Sequence, residues 1–376
     1  GRLAVVLVAT AATAIAAAAG AAPQSEPAAP ATQPEAAFGE TVDVRLSAIR
    51  VRVVDSRGEP IRGLGPDDFL VAVGDTRVPV RAVDFEGVAD EAPAAPPPAG
   101  EPAAEEPSAA TAAEPVAPNP PRPALVVLFL QADFNAVRVR GHLKMLPFVE
   151  KLLAALPADD RVAVVSFDSR LELWQDFSRD RAATREAVWG ALRFGTDPPP
   201  LPPPAPDAPS IAAAWDDAAA RRAAQPERAL ELVARAVEPL PGEKRMVFLG
   251  WGLGRWGSSG FRMGGDYREA ARALWRAGVP VFVLDVTQAD SHTLELGLRR
   301  VAAETGGTYE KTYDFPLQAT ARLARTLTSR YVLHVDPADL PAAGGEVHVE
   351  VVGHPEARLL LPAIDAVPAA AAPPVP

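Results

Sequence analysis

A doubly wound, mostly parallel six-stranded α/β sheet, with a small β-sandwich unit built from the N- and C-terminal flanking segments, is the fold class the sequence predicts. Three observations predict it. The run Leu125 to Leu130 is wholly apolar and ends in the polar cluster Gln131, Asp133 and Asn135, as a strand buried on both faces would. Val139, Leu143, Leu146, Val149, Leu153 and Leu156 then recur at helical spacing,. The alternation repeats downstream, with buried-strand runs at Arg161–Phe167, Lys244–Leu249 and Val279–Val286 separated by helical stretches,. In open α/β sheets ligands meet the carboxyl ends of the strands, so Asp133 and Asn135 are expected at the ligand face.

The ends of the chain have different textures. Arg2, the apolar run Leu3–Ala19 and the small residues that follow read as a secretory signal over residues 1–22,. Residues 23–40 are disordered by composition. Residues 41–86 form an N-terminal β unit: Val44, Leu46, Ile49, Val51 and Val53 nearly alternate with polar residues, with a phase slip near Ser47-Ala48 that suggests a bulge,. Leu70–Val73 and Val78–Phe85 are two further strands, joined at Gly74-Asp75,. Residues 87–122 are a linker of Pro, Ala and Glu, and the α/β domain spans 123–329. Residues 330–365 return to β patterning, as in GEVHVEVV at Gly345–Val352. Neither flank alone has enough strands to stand by itself, so 330–365 is expected to pack with 41–86. Residues 366–376 are a disordered tail by composition.

Within the α/β domain, Leu171–Trp174 reads as a short edge strand and Arg181–Leu192 as a helix. A proline-dense loop follows at Gly195–Ser210, then helices over Ile211–Ala224 and Pro226–Val237. Gly250–Gly265 is a glycine-rich loop. Tyr267–Ala277 is a helix ended by Gly278. Ser291–Thr305 and Leu317–Ser329 are the last helices, with a short strand at Thr308–Lys311 between them.

Composition narrows the function classes. A net charge of −11 disfavours nucleic acid or an anionic membrane surface as partner. The absence of cysteine excludes disulfides, thiolate metal sites and a cysteine nucleophile.

Four stretches together resemble the von Willebrand factor A-type (vWA) domain, and specifically the exported bacterial VWFA-related proteins. They are VRVVDSRGEPIRGLGPDDFLVAVGDTRVPVRAVDF at Val51–Phe85, the strand carrying Asp133, VPVFVLDV with LRRVAAETGGTY within Val279–Thr308 and the residues beside it, and the closing strands of Arg330–Val352. The resemblance implies a vWA-like, Rossmann-type sheet and a metal-ion-dependent adhesion site. That site's Asp-x-Ser-x-Ser element falls on Asp133, Asn135 and Val137, its threonine on Thr196, and its later aspartate on Gly250 or Trp251. Magnesium needs oxygen ligands in near-octahedral array. One carboxylate, one amide and one hydroxyl make a poor set, so the site reads as degenerate and no cofactor is expected, magnesium included. An altered site remains open if Asp266 or Asp285 replaces the missing carboxylate.

Other constellations are weaker. Gly252-Leu-Gly-Arg-Trp-Gly257 matches a dinucleotide fingerprint, but further glycines stand where its helix should begin,. His142, His292, His334, His348 and His354 show no metal spacing,. Asp159-Asp160 and Asp216-Asp217 read as solvated helix ends, and Asp285 as a cap. Trp251, Trp256, Phe261 and Met263 place apolar bulk among glycines at the ligand face, as protein recognition would use.

The expectation is therefore a non-catalytic, secreted or periplasmic protein. It binds a protein partner through a face carrying Asp133, Trp251, Trp256 and Phe261, with no nucleic acid and no membrane insertion after signal cleavage. A purely structural envelope scaffold is the alternative, which buried tryptophans would favour. A hydrolase is the weakest reading, because no nucleophile–base pair can be named. Mass spectrometry of the mature protein is expected to find its start near Ala22 or Pro23; an intact N-terminus in the membrane fraction would contradict export by cleavage.

Overall fold

The computed structural model describes residues 47–87, 123–132, 135–193, 196–204, 208–341 and 347–360. The expected signal segment (1–22), residues 23–46, nearly all of the expected linker (87–122), the chain beyond Leu360, and Asp133 lie outside the described residues.

The chain enters through β1 (Ser47–Val54), β2 (Phe69–Val73), β3 (Thr76–Val78) and β4 (Val80–Glu86). The α/β part follows: β5 (Leu125–Gln131), α1 (Ala136–Ala155), β6 (Arg161–Phe167), β7 (Leu171–Ser178), α2 (Arg181–Ala191), α3 (Asp217–Arg221), α4 (Pro226–Val237) and β8 (Lys244–Gly250). Then come the hairpin β9 (Arg255–Gly257) and β10 (Gly260–Arg262), α5 (Tyr267–Arg276), β11 (Val281–Asp285), α6 (Glu295–Thr305), β12 (Tyr309–Lys311) and α7 (Pro316–Thr328). The chain closes with β13 (Arg330–Val335), β14 (Val347–Val351) and β15 (Arg358–Leu360).

Six strands form one sheet in the order β12-β11-β8-β5-β6-β7. Five run parallel, and β7 is an antiparallel edge strand on β6. This is the doubly wound order, with its switch point between β5 and β8. Every residue of β5 is buried, as its unbroken apolar run requires. Met145, Val149, Leu152, Leu323 and Leu327 of α1 and α7 cover one face. Leu230, Val233, Ala270, Leu274 and Leu298 of α4, α5 and α6 cover the other.

The flanks form two smaller sheets, β15-β1-β13-β4 and β14-β2-β3. Each joins strands from both ends of the chain, since β1 pairs with β13 and β2 with β14. Ile49, Val51, Val53, Phe69, Val71, Leu333 and Val349 share the core between them. Tyr331 centres that core, 5.4 Å from the Phe69 ring and 5.0 Å from that of Phe85. Its hydroxyl donates to the Ile61 carbonyl at 2.9 Å.

Several sequence expectations are corrected. The span Val78–Phe85 is two strands. Pro79, which has no N–H to donate, separates β3 from β4, and the chain crosses there from one sheet to the other. The register of β1 against β13 is regular from Ser47 onward, and the irregularity lies instead between His334 and Val335, opposite β4. The edge strand runs on to Ser178. Ile211–Ala224 is mostly not α-helix: a 3-10 turn at Ala212–Ala214 precedes the short α3, which starts where Asp216 accepts from the Ala219 N–H at 2.9 Å. The glycine-rich loop contains a hairpin, because Gly260 (φ +92°) supplies the left-handed turn residue it needs,. The helix expected from Ser291 begins only at Glu295.

The two-sheet unit meets the N-terminal ends of the parallel strands through buried charge. Arg52 alternates with Val51 and Val53 on β1, so it faces away from the sandwich core and toward the α/β sheet,. Glu243, just before β8, accepts from Arg52, from Arg330 at the start of β13, and from Arg245 Nε at 3.0 Å. Arg330 also pairs with Glu86, and Arg245 lies 3.8 Å from Asp160. Asp160 is buried and accepts from the Ala124 N–H at 2.7 Å, so it is not the solvated residue its sequence position suggests. Burial works against the Glu243 carboxylate, but Arg52, Arg245 and Arg330 hold it well below the usual range. Burial lowers Arg52 to about 10, which leaves it charged at neutral pH.

Removing one partner of a buried ion pair strands the others in low dielectric, at a cost of about 3–5 kcal/mol. Glu243→Gln should therefore lower the urea stability of the full chain by about that amount at neutral pH. The folded pKa of Glu243 is depressed. Its contribution is thus present above the unfolded carboxylate value of about 4.3 and lost as pH falls through the lower folded value. The stability gap between wild type and variant should close in acid. Equal stability at neutral pH would contradict the role given to Glu243.

Candidate functional site

The C-terminal ends of β5 and β8 flank the switch point. Gln131 ends β5 and is buried. Its Oε1 accepts from the backbone N–H groups of Trp251 at 2.9 Å and Gly252 at 3.1 Å, and its Nε2 donates to the Gly252 carbonyl at 2.7 Å. One amide thus satisfies three backbone groups of the turn after β8. A Cβ at Gly252 would lie 2.5 Å from Leu294 Cβ, and one at Gly297 would lie 2.3 Å from the Leu253 carbonyl oxygen. The turn is therefore packed against the start of α6 with no room for a side chain. Arg138 of α1 lies 3.3 Å above the Trp251 ring. Among the described residues, Gln131 and Arg138 thus hold the turn after β8 in place.

The residues expected there divide accordingly. Asn135 caps α1, its side chain accepting from the Val137 N–H at 3.0 Å. Val137 is 54 % exposed and offers no ligand atom. Thr196 is exposed at the start of the proline-dense loop, where its neighbour Asp197 pairs with Arg170 at 3.2 Å. Opposite β5, the aspartate position is taken by Gly250 and Trp251. The described positions thus supply one amide oxygen and one hydroxyl, short of the oxygen set a divalent ion requires.

Trp251 is half-buried rather than presented to solvent. Phe261 and Met263 are half-buried too. Trp256, by contrast, is 61 % exposed on the β9–β10 hairpin. The hairpin base is pinned from below. Glu227, 1 % exposed in the first turn of α4, accepts through Oε1 from Gly254 N–H at 2.8 Å and Gly264 N–H at 3.2 Å. Trp256 stands directly across from Phe261, and Arg255 across from Arg262. The hairpin is a held element projecting from the end of β8.

A second cluster was not legible in the sequence. Asp285, buried at the end of β11, accepts from His292 Nε2 at 2.7 Å, the Tyr309 hydroxyl at 2.6 Å and the Thr287 N–H at 3.0 Å. Burial opposes its ionised form, but these donors outweigh it and hold the carboxyl below its ordinary value. Asp285, His292 and Glu295 present ligand atoms within 4.8 Å of one another. Glu295, however, is already paired with Arg299 at 2.6 Å and Lys311 at 3.2 Å. Both cations belong to Glu295, while Asp285 is held by His292, Tyr309 and Thr287, so each carboxylate already has its partners. No serine or threonine hydroxyl among the described residues bonds His292, so the Asp–His pair lacks a nucleophile. The side-chain partners of Asp285, His292 and Tyr309, stand 7 and 24 positions away, and no spacing rule marks them.

Two cavities lined by described residues lie on the flanks of the α/β part. One of 630 Å³ sits beside the edge strand β7, lined by Leu171, Leu173, Pro199 and Trp215. One of 640 Å³ opens beside Trp275 on α5. Among the described residues no helix is long and apolar enough to cross a membrane.

No protein-family model and no curated protein matches the chain. Solved structures do match, over about half of the chain. The protein BatB from Bacteroides thetaiotaomicron is 13 % identical, with 55 % of this chain and 97 % of that one covered and a TM-score of 0.34. The vWF domain of the type V pili tip protein Mfa5 from Porphyromonas gingivalis is 11 % identical, covering 55 % and 95 %, with a TM-score of 0.35. A D319A mutant of the PilB minor pilin from Streptococcus sanguinis is 12 % identical, covering 56 % and 62 %, with a TM-score of 0.34. The vWA-like fold of the α/β part is carried by its own strand order and directions.

Proposed function

We propose that this chain is a non-catalytic, exported binding protein that recognises a protein partner at the C-terminal face of its parallel sheet, without a divalent ion. The observation that carries this reading is Trp256, 61 % exposed on a hairpin whose base is fixed by the buried Glu227. A large aromatic on a pre-organised element can contribute strongly to affinity, because little conformational freedom remains to be lost on binding. The turn after β8, bound by Gln131 and packed with no room for side chains at positions 252 and 297, supports recognition by the surface that projects beyond it. The poverty of oxygen ligands at Asn135, Val137, Thr196 and Trp251 supports a degenerate metal site. The exposed tryptophan weighs against a purely structural scaffold, which would gain nothing from it. The unaccompanied Asp285–His292 pair weighs against hydrolysis.

Capture of a partner from the envelope fraction by the full chain tests this reading. Trp256→Ala should weaken capture by about 2 kcal/mol, on the order of thirtyfold in affinity, and chelator should leave capture unchanged. Calorimetric titration of the full chain with magnesium or manganese should give no one-site isotherm. A chelator-sensitive interaction, or one indifferent to Trp256, would overturn the proposal.

A further inference from the structure

The stretch from Arg255 to Arg276 differs in charge from the rest of the molecule. It holds Arg255, Arg262, Arg268, Arg272 and Arg276 against Asp266 and Glu269, a net of +3 in a chain of net −11. All five arginines are exposed. None has an ionic partner among the described residues, whereas Arg228, Arg235, Arg299 and Arg300 on the flanking helices α4 and α6 are all paired.

Two local geometries shape this charge. On the hairpin, Arg255 and Arg262 are directly opposite each other. Like charges in that position repel at short range, and an anion placed between them would offset the repulsion. On α5, Tyr267, Ala270, Ala273 and Leu274 face the core, which leaves Arg268, Arg272 and Arg276 one turn apart on the outer side. Their spacing is about 6 Å along the helix axis. Alternate residues of an extended chain lie about 6.7 Å apart on one side, so consecutive arginines match carboxylates at every second position. Each guanidinium can take a carboxylate with two parallel hydrogen bonds. Beside them Trp275 is 55 % exposed on the 640 Å³ groove, which Ala271, Arg235, Arg272 and Arg276 line together with Glu269 and Glu304.

We propose that the outer face of α5, with the Arg255–Arg262 pair as a second contact, docks an extended acidic segment of a partner protein that carries an apolar side chain for the groove beside Trp275. Charge complementarity selects this occupant. A uniformly charged polyanion or an anionic bilayer would also meet the acidic remainder of the surface, which repels it. A short acidic segment meets a local surface where arginines outnumber Glu269 and Glu304, because screening confines the field to about 8–10 Å. This deepens the binding reading above and rests on it only for the partner being a protein.

The test uses the full chain and a synthetic peptide alternating glutamate and serine around a central leucine, with fluorescence anisotropy as readout. Binding is expected to fall more than tenfold in the triple variant Arg268→Glu, Arg272→Glu, Arg276→Glu and in the glutamine version of the peptide. The triple lysine variant should retain most of it, which separates charge from loss of fold. Trp275→Ala should weaken the leucine peptide and leave a version with serine in place of leucine unaffected. An oligodeoxythymidylate or phosphatidylglycerol vesicles binding more tightly than the peptide would overturn the choice of an acidic protein. No peptide binding to wild type would overturn this inference while leaving the Trp256 result intact. Peptide binding with no effect of Trp256→Ala on partner capture would sink the hairpin reading and leave the α5 surface standing.

Discussion

Glu243 is the constraint on which the rest of the structure depends. It stands at the entrance to the central strand β8 and gathers arginines from β1, β8 and β13. Those elements come from the beginning, middle and end of the chain. Burying such charges is expensive, and a buried ion pair is seldom a large net gain over apolar packing. Its effect is orientation. An apolar interface would tolerate sliding, whereas three guanidiniums on one carboxylate define how the two-sheet unit seats on the parallel sheet. Around this node Val54 and Leu360 of the two-sheet unit join the apolar layer under α1 and α7. Glu59 takes Arg325 of α7 with two hydrogen bonds, and Thr326 donates to the Gly58 carbonyl at 2.9 Å.

This arrangement divides the two ends of the sheet. The N-terminal ends of the strands are occupied by the flanking unit, so surface remains available at the C-terminal ends. There, Gln131 and Arg138 hold the turn after β8 and the glycines at 252 and 297 allow it to pack tightly. The exposed features lie just outside: the hairpin with Trp256, and the arginine-bearing face of α5. Both are held by buried residues, Glu227 beneath the hairpin and the α4–α5–α6 core beneath the helix. Rigidity beneath and exposure above are what a recognition surface needs.

Much of the fold was legible because its signals are local. The unbroken run in β5, the helical spacing of α1 and the strand–helix alternation each follow from burial periodicity. The two-ended β unit was legible from the shortage of strands in each flank. What escaped was contact between distant residues. Asp160 reads as a solvated charge at an element boundary, and Glu243 carries no local signal at all, since nothing in its sequence neighbourhood announces that three arginines converge on it. Trp251 and Trp256 had the same context, apolar bulk among glycines, yet one lies beneath Arg138 of α1 and the other projects. The hairpin was hidden because only three residues of each strand pair, too few to alternate. Asp285 had been read as a cap, and it does accept from the Thr287 N–H. Its partners His292 and Tyr309 come from separate elements.

The central claim is that the flanking strands and the parallel sheet form one cooperative body, fixed at Glu243, from which the recognition elements project. Native-state hydrogen exchange on the full chain tests it most directly. Amides of β1, β13 and β8 should exchange with one common opening free energy, which falls by the same amount in all three as denaturant is added. Earlier exchange of β1 and β13, with β8 still protected, would show that the two-sheet unit opens by itself and would contradict the account.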